Sequence, residues 1–112
     1  MTNIINLTPH PVNIVNEEGN VIKVFESAGV ARAAQKDVEI GRLEGIPIIE
    51  TEFGEPIGLP EYSQGTYYIV SAITAKAASL SGRNTRDLLL TGKTVRNSDG
   101  QIIGCQALAK YK

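Results

Sequence analysis

Residues 66–90 run Thr66-Tyr67-Tyr68-Ile69-Val70, then Ser71-Ala72-Ile73-Thr74-Ala75-Lys76-Ala77-Ala78-Ser79-Leu80, then Ser81-Gly82-Arg83-Asn84-Thr85-Arg86, then Asp87-Leu88-Leu89-Leu90. The first block is rich in β-branched and aromatic residues and predicts a strand. Ser71 then offers a hydroxyl to the free N–H groups of a following turn, and the alanine-rich stretch to about Leu80 favours helix, so a helix is expected over about 71–81. Gly82 is the expected C-cap, and Asp87 to Leu90 is a short apolar strand. A strand, a helix and a strand in this order form a β-α-β unit, whose right-handed crossover makes the two strands parallel.

Downstream, Val95-Arg96, Asn97-Ser98-Asp99-Gly100 and Gln101 to Leu108 predict a C-terminal hairpin on an Asp-Gly turn. Upstream, Ile4 to Leu7 and Val12 to Val15 are short strands joined by Thr8-Pro9-His10-Pro11, where two prolines fix φ and stiffen the turn. Val21 to Phe25 is apolar on both sides and is expected to be covered on both faces. Val30 to Ala34, Val38 to Leu43 and Ile46 to Ile49 read as further short strands, the last confined to an edge by Pro47. Gly54 to Gln64, with Pro56 and Pro60, reads as a long ordered loop. The expected fold class is α+β: one small, β-rich globular domain over 1–112 with one main helix.

The 112 residues carry 11 Lys and Arg against 12 Asp and Glu, a formal net charge of −1. A balance of that kind supplies no field that draws in a polyanion, so neither DNA nor RNA is an expected partner. No stretch has the form of a signal peptide or a membrane span, and the chain is expected to be cytoplasmic. Cys105 is the single cysteine and sits in Ile-Ile-Gly-Cys-Gln-Ala-Leu, the setting of a small buried core residue. With one His and one Cys, paired metal ligands of the His-x-x-x-His or Cys-x-x-Cys kind cannot be assembled, and no metal or cofactor is expected.

Enzymatic motifs fail on inspection. Thr91-Gly92-Lys93-Thr94 resembles the end of a phosphate-binding loop, but the glycine required five residues before Gly92 is Asp87. The carboxylate pairs Asp37/Glu39 and Glu50/Glu52 lack a third ligand, and Ser71 and Ser81 lack a base unless His10 folds against them. The informative set is cationic. Arg83 and Arg86 follow the helix, Arg96 opens the hairpin and Arg32 lies among small residues; each guanidinium could grip a phosphate through its planar fork. Arg86 could instead pair with Asp87, leaving Arg83 solvated. His10, held between prolines, could aim an imidazole at a ligand or serve the turn, and Tyr62 could stack on a base.

Asn-Leu-Thr-Pro-His at 6–10, Gly-Leu-Pro at 58–60, Gly-Thr-Tyr-Tyr-Ile-Val-Ser at 65–71, Arg-Asp-Leu-Leu at 86–89 and Ile-Ile-Gly-Cys at 102–105 together resemble a family of small phage and prophage proteins. This set is similar to the Thoeris anti-defence sponges, which sequester cyclic ADP-ribose isomers as oligomers without degrading them. The resemblance implies a β-rich domain that binds a nucleotide-derived signal at a subunit interface, is not an enzyme and forms a homo-oligomer. From the residues alone, the expected ligand contacts are Arg86 first, then Arg83, Arg96, Arg32, His10 and Tyr62. The competing readings are an inhibitor that contacts a host defence protein directly and a nucleotide-cleaving enzyme.

Overall fold

A computed structural model describes Thr2–Tyr111. Eight strands and one helix follow in the order β1 (Asn3–Asn6), β2 (Val12–Val15), β3 (Val21–Phe25), β4 (Arg32–Leu43), β5 (Ile46–Ile57), β6 (Thr66–Ile69), α1 (Ala72–Leu80), β7 (Leu88–Arg96) and β8 (Ile102–Lys110). Over the described residues the protein is thus mostly β with a single short helix, the expected class. Six strands form one sheet in the order β1-β6-β7-β8-β2-β3, and β4 and β5 form a separate two-stranded sheet.

The β-α-β unit stands as the sequence predicts, with β6 and β7 parallel through Tyr68 opposite Leu88 and Ile69 opposite Leu89. Ser71 caps α1 by accepting from the Thr74 N–H. At the other end the cap residue is Ser81 and not Gly82. Gly82 stands one place beyond with φ +88°, and the N–H groups of Gly82 and Arg83 donate to the carbonyls of Ser79 and Ala78. Two otherwise free carbonyls are satisfied by a left-handed residue that glycine adopts without penalty.

Alternation along β6 and β7 divides the core into two layers. Tyr68 and Leu88 pack with Leu7, Ala31, Val70, Ala75 and Ala78 beneath the helix. Ile69 and Leu89 point the other way and pack with Val12 and Cys105, flanked by Ile14, Phe25, Tyr67 and Leu108. The sheet curls around this second layer, because its terminal strands β1 and β3 meet again at a parallel bridge between Asn6 and Ser27, where the Ala28 N–H donates to the Asn6 carbonyl over 2.9 Å. At the far side of the curl β2 pairs with β8 through Ile14 opposite Cys105. Gly104 permits that approach: a Cβ there would lie 2.8 Å from the Asn13 carbonyl oxygen and 2.9 Å from Val15 Cγ1. Gly104→Ala is expected to cost about 1–3 kcal/mol through overpacking against backbone that cannot yield, measurable as a lowered midpoint in urea unfolding.

Three expectations for the middle of the chain are corrected. Val30 to Ala34 and Val38 to Leu43 are not two strands, since Arg32–Leu43 is continuous apart from bulges near Ala34 and Ile40. The segment from Gly54 is not loop until Gly58, because β5 runs on to Ile57 and pairs Pro56 with Ala33. Val21 to Phe25 is not covered on both faces: Val21, Ile22 and Val24 are exposed on the terminal strand of the sheet. Strands β4 and β5 form an arm closed by Glu44-Gly45, both at positive φ, the geometry of a tight hairpin turn. Its foot is held against the helix, where Thr74 Oγ1 donates to the Ala31 carbonyl. Twelve residues of strand extend about 40 Å, and the radius of gyration is 16.8 Å, against about 13 Å for a compact chain of this length.

Candidate functional site

The structure separates the residues that the sequence offered as one site. Arg83 and Arg86 precede β7 and Arg96 ends it, so the length of a nine-residue strand, about 30 Å, lies between them. Arg83 is committed to the fold. Its Nη1 and Nη2 donate to both carboxylate oxygens of Asp87 at 2.8 and 2.9 Å, Nε and Nη2 donate to the Pro60 carbonyl, and Nη1 also reaches the Asn84 carbonyl. All five guanidinium protons therefore have acceptors within the chain, and none stands free for a phosphate. The carboxylate partner is thus reversed from the alternative that the sequence suggested: Asp87 pairs with Arg83 and not with the adjacent Arg86.

Arg86 is exposed, with its backbone N–H held by the Asn84 side chain. Arg32 is exposed at the foot of the arm opposite Ile57, and Tyr62 is exposed in the segment that follows β5. Arg96 donates from Nη1 to the Gly100 carbonyl over 2.7 Å and faces Ile102 across the hairpin. His10 is exposed in the turn between β1 and β2.

His10 lines a cavity of about 350 Å³ where β2, β8 and β7 meet. Val12, Gly104 and Cys105 line it with His10, Pro11, Asn13, Thr91, Thr94, Ile102 and Ile103, and Arg96 lies directly across the strands from Ile102. The volume falls within the range of small-molecule sites, and an apolar lining with a few hydroxyl, amide and imidazole groups matches their usual chemistry. Sequence reasoning missed it because its residues come from three stretches distant in the chain. One local signal is backbone strain. Thr91 and Thr94 both line the cavity although three residues apart, whereas regular alternation would send them to opposite faces; between them Lys93 has φ +50°. A non-glycine residue in that region costs about 1–3 kcal/mol.

The turn that carries His10 is built by Asn6, which is buried. Its Nδ2 donates to the carbonyls of His10 and Phe25 at 2.8 and 2.9 Å, and its Oδ1 accepts from the Thr8 N–H and the Thr8 hydroxyl. The stretch Asn-Leu-Thr-Pro-His is therefore a device that fixes where His10 sits. Cys105 is buried in the cavity wall, and burial pushes its thiol pKa up, partly offset by backbone hydrogen bonds at Ala107 and Gly92. The sulfur is a protonated packing atom at neutral pH, not a thiolate nucleophile. Cys105→Ser is expected to lower stability by about 1–3 kcal/mol through burial of a hydroxyl, and labelling of the native thiol by a bulky reagent should be slow.

Comparison with models of known protein families, with curated proteins and with solved structures finds no match. No helix among the described residues is long and apolar enough to cross a membrane.

Proposed function

We propose that the protein is a phage anti-defence sponge: a homo-oligomer that acts in the host cytoplasm, binds a nucleotide-derived immune signal of the cyclic ADP-ribose type in this cavity, and releases it uncleaved. The observation that carries the reading is the convergence of Thr91, Thr94 and Asn13 on an apolar hollow that has His10 at its edge and Arg96 across the strands from Ile102 of its wall. Sugar hydroxyls would meet the threonines and the amide, the base would lie on the apolar wall, and a phosphate would be held by Arg96 and His10 in place of Arg86. The sequence resemblance supports the same class. A ligand of about 35 heavy atoms at roughly 0.3 kcal/mol per atom reaches about −10 kcal/mol, near the nanomolar affinity that stoichiometric capture demands. The protonated state of Cys105 favours binding over attack on the ligand.

Calorimetry with cyclic ADP-ribose isomers tests the assignment. Arg96→Ala is expected to weaken binding by about tenfold or more, since a hydrogen bond to a charged group contributes about 1.5–3 kcal/mol, while Arg86→Ala binds like the parent. Loss only in Arg86→Ala would move the site to the other end of β7, and equal loss in both would overturn the assignment to Arg96.

A second reading, inhibition by direct contact with a host defence protein, would use β3, which presents Val21, Ile22 and Val24 to solvent. In that case a host protein would co-purify with the chain and no nucleotide would.

A further inference from the structure

We infer that the tip of the β4–β5 arm is a docking surface for a second copy of this chain, and that it lies on the β7–β8 hairpin of that copy. The inference deepens the homo-oligomeric part of the reading above and rests on it.

The arm leaves the body with an apolar end. From Gln35 to Glu55 every residue except Val38 and Ile48 is exposed, and Ile40, Leu43, Ile46 and Ile49 keep 53–67% of their surface open. The register sets their directions. Val38 opposes Glu50, Gly41 opposes Ile48 and Leu43 opposes Ile46, so the exposed Leu43 and Ile46 share one face with the half-buried Val38 and Ile48 and with Glu50, while Ile49, opposite Glu39, lies on the other. A two-stranded ribbon with such a face is marginal alone in water and gains most from being covered.

Charge selects the occupant. Residues 32–57 hold three cations and six carboxylates, a net −3, whereas the rest of the chain holds eight and six, a net +2. Within the body the β7–β8 hairpin has the matching chemistry. Residues 91–110 carry Lys93, Arg96 and Lys110 against Asp99 alone, around the exposed Ile102 and Ile103. The other exposed apolar strand, β3, fits less well because Glu17, Glu18 and Glu26 flank it. In a two-fold arrangement each copy gives one arm and receives one, so the contact is made twice.

Sedimentation of the full chain at micromolar concentration tests this with two variants, L43S/I46S on the arm and I102S/I103S on the hairpin, each checked by far-ultraviolet circular dichroism for retained strand content. The arm tip makes up no part of either core layer, so L43S/I46S should keep the fold. The expected result is an oligomer for the parent and at least about tenfold weaker self-association in both variants. A monomeric parent overturns the inference together with the homo-oligomeric reading. An oligomeric parent whose L43S/I46S variant associates as before overturns the arm as the contact and leaves the oligomer standing. Loss in L43S/I46S without loss in I102S/I103S overturns the hairpin as the acceptor.

Discussion

Arg83→Ala is expected to destabilise the protein by about 3–5 kcal/mol, the usual cost of removing one partner of a buried ion pair. The Asp87 side chain is 1% exposed and that of Arg83 14%, so the variant leaves a carboxylate in the interior without its cation. The same change frees the Pro60 carbonyl, the point at which the segment after β5 is tied to the start of β7. Replacing both residues with apolar ones should cost less than Arg83→Ala alone, because no buried charge is then unpaired. Urea unfolding of the single and double variants measures both, and a double variant worse than Arg83→Ala would show that the unpaired Asp87 carboxylate is not the source of the loss.

Asn6→Ala is expected to cost about 2–4 kcal/mol and to weaken ligand binding as well. Four hydrogen bonds meet at this buried amide, and its removal leaves the Phe25 carbonyl and the Thr8 N–H without their partner. The functional part of the effect comes through the His10 carbonyl, which Asn6 Nδ2 holds, so the turn loosens and the imidazole loses its place at the cavity. Thermal unfolding reads the first consequence and calorimetry below the unfolding range reads the second. Unchanged affinity in a variant that has lost this stability would remove His10 from the site.

The parts of the fold legible in the sequence are those fixed by local signals. Ser71 with the alanine run and Gly82 delimits α1, and Asn97 to Gly100 turns β7 into β8 with Asn97 Oδ1 accepting from the Asp99 and Gln101 N–H groups. The arm was not legible because its prolines and glycines carry the usual signs of interruption. Pro47 and Pro56 are tolerated since each strand of a two-stranded ribbon has one edge with no partner to serve. For the ion pair, Arg86 is next to Asp87 in the chain, but consecutive residues near a strand start point apart, and the partner comes from four positions back. The cavity depends on β2 meeting β8 across some ninety residues of chain, a non-local pairing that no window of sequence contains. What was legible of it was His10, with Arg96 across the strands from Ile102 of its wall; Thr91, Thr94 and Asn13 gave no signal beyond the Thr-Gly-Lys-Thr stretch that a phosphate-loop test rejects.

Under the proposed function this chain captures a small signalling nucleotide and keeps it whole. Mass spectrometry of the material released by denaturing protein purified from cells with an active nucleotide-signalling defence tests this most directly. The expected result is an intact cyclic ADP-ribose isomer in near-stoichiometric amount, and much less from Arg96→Ala. Recovery of a hydrolysed product, or of no nucleotide at all, would contradict it.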